Sequence, residues 1–134
     1  DTRDDTFKKI DEECGPGLGF VVAGHTHLHR ALKRERGGGF YYNSGTWIRL
    51  MELTPEILED RNIFKKVWKA LNDGSMKALD EAKLGDTGKN LVRNIRTVVD
   101  IQATESGSAR GCLKTVEEIE EGGYKLKEVE KTAF

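Results

Sequence analysis

Val21-Val22-Ala23-Gly24-His25-Thr26-His27-Leu28-His29-Arg30 is an apolar run that breaks at a glycine into three histidines at alternating positions, and these are all the histidines of the chain. If the backbone stays extended past Gly24, alternation puts the three imidazoles on one side, whereas a helix would scatter them. Two or three neutral imidazoles converging at a strand end suit a first-row divalent metal. A half-exposed strand whose polar face carries histidine has the same spacing, so alternation alone leaves both readings open.

Working outward, Leu18 to Ala23 reads as a buried strand, apolar on both faces like the central strands of layered α/β proteins. Residues 4–13 fit a short helix with Phe7 and Ile10 on one face and an Asp-rich first turn, ended by Gly15-Pro16-Gly17. Gly15, Gly17 and Gly19 precede a strand instead of opening a helix, so they read as a connecting turn and not a dinucleotide loop. Downstream, Ala31 to Arg36 forms a basic edge and Gly37-Gly38-Gly39 breaks it. Phe40 to Tyr42 resumes as a strand, Asn43 to Gly45 permits a tight turn, and Thr46 to Leu53 alternates as a further strand, returning the chain beside the histidines. Trp47, Ile48, Leu50 and Leu53 are then expected in the core. Asn43 reads as a turn former ahead of a substrate contact, because asparagine tolerates left-handed backbone.

Gly24-His25-Thr26-His27, with the strand before it and the glycine-rich hairpin and Tyr41-Tyr42-Asn43-Ser44-Gly45-Thr46-Trp47 after it, resembles the closing segment of the calcineurin-like metallophosphoesterases over about residues 18–53. In that family Gly-His-x-His is the last of the metal-binding motifs. The resemblance implies an enzyme that hydrolyses phosphoesters, as a phosphatase or phosphodiesterase, with two divalent metal ions: manganese first, with iron, zinc or magnesium as alternatives. Such metals share a bridging hydroxide, orient the phosphoryl group and neutralise charge growing on its oxygens. By motif position His25 would bind one metal and His27 the other, and these two are the implied catalytic and metal-binding residues. Thr26 would point away and help the loop turn. His29, outside the motif, reads as a residue behind the ligands or on the surface. Arg30 has the reach for a bidentate phosphate contact, although a solvent-exposed arginine after a strand is the plainer reading.

The family's earlier ligands come from Asp-x-His, Gly-Asp-x-x-Asp and Gly-Asn-His motifs and a further histidine, and this chain has none of them. Gly85-Asp86-Thr87-Gly88 fails the second pattern, and the chain opens on Asp1. The expectation is a C-terminal fragment that needs its N-terminal half and has little or no phosphoesterase activity alone. The expected fold is the C-terminal part of a layered, metallophosphoesterase-like α/β sandwich over residues 1–90, with a β-rich C-terminal extension ending in a hairpin over residues 91–134.

The remaining sequence fits this picture. Thr54-Pro55-Glu56 is a helix start, and Ile57, Leu58, Phe64, Val67, Trp68 and Leu71 recur at helical spacing to Asn72, reading as a packing face. Ser75 to Lys83 fits a second short helix. Gly85 to Lys89 echoes a phosphate-binding loop but has Lys83 and Asn90 where glycine and Ser/Thr are required, which excludes it. Thr97 to Thr104, Leu113 to Ile119 and Tyr124 to Val129 read as strands, the last two forming a hairpin with a solvated, charged outer face.

The chain has 134 residues, 34% of them charged, and a formal net charge of −1. No global basic field points to nucleic acid or an acidic membrane surface, so a phosphoester substrate would be attracted locally, by metal. Nucleic acid stays open as a substrate without being indicated. No membrane partner is expected, because no run reaches the length needed to span a bilayer. Cys14 and Cys112 are too few and too distant for a disulfide framework and read as reduced thiols of a cytoplasmic protein. The competing class is a non-catalytic metal-binding or interaction module, with one zinc or none on the histidine loop. A closed zinc site wants four protein ligands, and only Cys14 could join the three histidines.

Overall fold

Asp4 opens the first helix, α1 (Asp5–Cys14), by accepting a hydrogen bond from the Phe7 amide at 2.9 Å, which satisfies one of the orphan N–H groups of a first helical turn. The computed structural model describes residues 3–24, 26–84, 88–120 and 122–134. It is mixed α/β, as expected from the sequence. After α1 come β1 (Phe20–Ala23), β2 (Arg30–Lys33), β3 (Phe40–Asn43), β4 (Leu50–Met51), α2 (Pro55–Glu59), α3 (Arg61–Asp73), α4 (Met76–Glu81), β5 (Lys83–Leu84), β6 (Lys89–Asn90), β7 (Val92–Arg93), β8 (Thr97–Ala103), β9 (Ala109–Glu118) and β10 (Tyr124–Glu128). The chain divides into two compact units, Asp1–Trp47 with Arg96–Phe134, and Ile48–Ile95.

In the first unit the sheet order is β1-β3-β2, with β1 parallel and β2 antiparallel to β3. β1, apolar on both faces like the central strands of layered proteins, therefore lies at an edge of this sheet, and Val22 is 52% exposed. The centre belongs to β3, whose Tyr41, Tyr42 and Asn43 are all buried. The reason is volume: large rings on both sides of β3 have more apolar area to remove from water than the short Val-Val-Ala run. On one face Tyr41 meets Phe7 of α1 edge-on at 5.3 Å and packs with Leu32, Ile10 and Val21. On the other, Tyr42 and Phe40 gather with Phe20 and Phe134, the last stacked on Phe40 at 4.3 Å.

That second face meets β9. A Cβ on Gly111 would sit 2.9 Å from the Phe20 and Tyr42 rings, so only glycine admits this approach. Gly111 and Phe134 also exchange backbone hydrogen bonds at 3.0 Å each way. β9 is the middle of an antiparallel sheet, order β10-β9-β8, with Thr97 opposite Thr115 and Tyr124 opposite Glu118. The expected hairpin is present, extended by β8 to three strands.

A buried ion pair ties α1 to the β2–β3 connection. Arg34 Nε donates to Asp11 Oδ1 at 2.7 Å, and both side chains are almost wholly buried. The other Asp11 oxygen accepts the Glu35 and Arg36 amides, each at 2.9 Å, while Arg34 also reaches the Leu18 and Gly15 carbonyls. Burial pushes the Asp11 carboxyl up, but the amides and the guanidinium outweigh it and hold the group below its ordinary value.

The second unit has a small core of Ile57, Val67, Leu84 and Leu91 with Ile63, Leu79 and Ala82 packed on it. The single helix expected over residues 54–72 is two: Asp60 leaves helical geometry (φ −98°, ψ 110°) and restarts the chain as α3 by accepting the Asn62 and Ile63 amides at 2.7 and 3.1 Å. A side chain that caps a new helix competes with continuation of the old one. Gly74 ends α3 in left-handed geometry, which glycine adopts without the steric cost of a Cβ. The strand expected over residues 46–53 shortens to β4, which pairs with β7. Ile48 and Leu53, expected in the core, are exposed, as is Trp47 of the first unit. Gly85, Asp86 and Thr87 lie outside the described residues. Among the described residues no helix is long and apolar enough to cross a membrane.

Candidate functional site

The histidine loop, residues 24–29, leaves the end of β1 and is closed by the turn that leaves the end of β3. Parallel pairing sets Ala23 opposite Asn43, so both segments emerge from one end of the sheet, side by side. The Ser44 amide continues this pairing by donating to the Ala23 carbonyl at 3.1 Å.

Asn43 joins the two. It is fully buried; its Nδ2 donates to Thr26 Oγ1 at 2.7 Å and to the Tyr41 hydroxyl at 3.0 Å, and its Oδ1 accepts the Gly45 amide at 2.8 Å. Both amide protons and the carbonyl are thus used inside the protein, as a buried amide requires. The bond to Gly45 is an Asx turn, the role expected of Asn43. Gly45 takes φ +71°, a left-handed conformation that favours glycine, and lies beside the His29 backbone. Thr97 fastens the turn from the second sheet, its hydroxyl donating to the Ser44 carbonyl and its own carbonyl accepting Trp47 Nε1 at 2.8 Å.

His27 is exposed, and its Nδ1 lies 2.9 Å from Thr46 Oγ1. With Nδ1 carrying the proton and Thr46 accepting it, Nε2 keeps its lone pair on the open side, which is the tautomer a metal-binding imidazole needs. Thr26 turns into the Asn43 bond, and its hydroxyl also faces the Leu28 carbonyl at 3.4 Å. His29 is half-buried beside Gly45. His25 lies outside the described residues.

Arg30 is not solvent-exposed. Its side chain is 9% accessible, pairs through Nη2 with Asp4 Oδ2 at 2.8 Å, and lies with Cζ 5.9 Å from the Tyr41 ring centre. The Phe7 amide first, then Arg30, hold the Asp4 carboxyl below its ordinary value. Arg30 therefore anchors the return of the histidine loop to the start of α1. Sequence reading gave no sign of this pair, nor of the parts played by Thr46 and Thr97. Only the Asn-x-Gly pattern carried a local signal, for the Asx turn.

Among the described residues no group of three or more His, Cys, Asp or Glu side chains is arranged to hold a metal ion. No family model, curated protein or solved structure matches the chain.

Proposed function

We propose that the chain is the closing portion of a calcineurin-like metallophosphoesterase, a layered α/β sandwich whose metal-dependent hydrolysis of phosphoesters uses His25 and His27 as ligands to two divalent ions. The observation that carries this reading is the His27 Nδ1–Thr46 Oγ1 contact at 2.9 Å. It joins the Gly-His-Thr-His and Asn-Ser-Gly-Thr segments, the two stretches on which the resemblance rests.

His27 supports this reading. With the proton on Nδ1, the bond to Thr46 fixes the His27 ring and leaves Nε2 for a metal, and a ligand oriented by a hydrogen bond through its other nitrogen is the usual arrangement around bound metals. Asn43 holds the loop to the turn before any ion arrives, so little ordering remains to oppose binding. When bound, the two ions supply a hydroxide nucleophile and neutralise phosphoryl charge. Two imidazoles provide neither the ligand number nor the negative charge for two ions, so the carboxylate ligands would come from outside residues 1–134, with manganese the first cation to try. The substrate is a phosphoester met in the cytoplasm.

The test is to translate the coding region upstream of Asp1 and assay the longer protein with manganese on an aryl phosphate and an aryl diester. Asp-x-His, Gly-Asp-x-x-Asp and Gly-Asn-His motifs upstream, with hydrolysis that the 134-residue chain lacks, are the expected result. An upstream region without these motifs, or a 134-residue chain that binds one zinc stoichiometrically and unfolds on chelation, would replace the enzyme with a metal-binding module.

A further inference from the structure

Three rows of side chains lie next to one another along α3. Ile63, Val67 and Ala70 face the core of the second unit. One residue on, Phe64, Trp68 and Leu71 form a row that is 41%, 60% and 40% exposed, with the Phe64 and Trp68 rings stacked at 6.3 Å. One residue further on, Arg61, Lys65 and Lys69 form an exposed basic row. Leu58 of the neighbouring α2 is 78% exposed. The helix is apolar across two rows, one facing the core of the unit and the other partly exposed.

We propose that this face docks the second unit on an anionic lipid bilayer. An interfacial helix carries Trp, Phe and Leu on the side that enters the headgroup boundary and Lys or Arg beside it, where they meet anionic headgroups. α3 has both in adjacent rows, so one orientation buries the aromatic row while the basic row lies against the charged surface. Charge complementarity selects the bilayer. Lys65 and Lys69 are exposed cations along one side, Arg61 shares the start of α3 with the carboxylates Glu56, Glu59 and Asp60, and Asp73 lies one turn beyond Lys69 at the far end. The apolar row with Leu58 suits acyl chains better than nucleic acid, which would stack bases on the rings but leave both leucines wet. A net charge of −1 hides this patch because it averages the whole chain.

The experiment uses the full chain carrying Trp47→Phe, which leaves Trp68 as the sole tryptophan. It is mixed with phosphatidylcholine vesicles with and without phosphatidylserine, reading Trp68 emission and co-sedimentation. A blue shift and sedimentation only with phosphatidylserine, weakened by salt, are expected. Lys65→Glu with Lys69→Glu should lower the partition coefficient about tenfold or more, and Phe64→Ser should lower it while leaving the circular dichroism unchanged. No binding to phosphatidylserine vesicles at low salt would overturn the proposal. So would binding indifferent to these substitutions, binding of a single-stranded oligonucleotide in preference to vesicles, or a concentration-dependent dimer that covers Trp68.

Discussion

β3 and α3 each carry two or more aromatic residues and dispose of them in opposite ways. In β3, Tyr41 and Tyr42 are buried on opposite faces of a central strand, and each hydroxyl has a partner: Asn43 Nδ2 for Tyr41, the Thr132 carbonyl at 3.1 Å for Tyr42. Burial pushes the Tyr42 phenol up to about 12, so its proton stays in place at any physiological pH. In α3, Phe64 and Trp68 are exposed and their rings stack on each other. The difference teaches what each element is for. β3 spends its rings on fixing the end of the sheet from which the histidine loop emerges, whereas α3 keeps an apolar row out of its core.

The contrast can be broken by substitution, and the largest effect is expected where a charge would be stranded. Asp11→Ala leaves Arg34 buried without its carboxylate and should cost about 3–5 kcal/mol in denaturant unfolding. The wild-type protein should also show an acid limb. The Asp11 and Asp4 carboxyls sit below their ordinary value when folded, so the stability they contribute is complete above the unfolded value of about 3.9 and is lost as pH falls through the folded value. Urea midpoints measured down this range should converge for wild type and Asp11→Ala. A constant gap would mean that the carboxyl is not the source.

A smaller loss, about 2–3 kcal/mol, is expected for Asn43→Ala, which removes three hydrogen bonds and leaves the Gly45 amide without its acceptor. Nuclear magnetic resonance should then find the residue 26–29 amides exchanging faster. If they are unchanged, Asn43 does not hold the loop. At the bottom of the scale, Trp68→Ser should change stability by no more than about 0.5 kcal/mol, because the ring has little native burial to lose. A loss of several kcal/mol in thermal unfolding would show that the α3 aromatic row is core after all.

Much of this was legible in the sequence, and the unread parts share a cause. Local signals worked in part: Asn43 makes its turn and the hairpin of β9 and β10 pairs as read, whereas the helix start read at Thr54 has no side-chain cap bond and the capping by Asp4 and Ser75 was not read. The return of β3 beside the histidine loop was also read correctly, and what failed were other partnerships at a distance. Periodicity says that a face is apolar, not that anything covers it, so Phe64, Trp68 and Leu71 read as packing. Apolar content showed that β1 is a strand, but the central place of β3 depended on rings that meet α1 and β9 from remote parts of the chain. The Arg30–Asp4 and Arg34–Asp11 pairs span 26 and 23 residues, and no spacing rule connects them. At the site, the motif drew attention to His25 and His27, but the Thr46 hydroxyl that orients His27 lies 19 residues away.

The most direct test of the proposed metal rim is the manganese-dependent hydrolysis rate of the longer protein, comparing wild type with His27→Ala and Thr46→Val. The expected result is a loss of orders of magnitude for His27→Ala, which removes a ligand, and about 10–100-fold for Thr46→Val, which frees the ring while keeping it, both with unchanged unfolding midpoints. Wild-type rates in His27→Ala would contradict the assignment of this loop as a metal-binding rim.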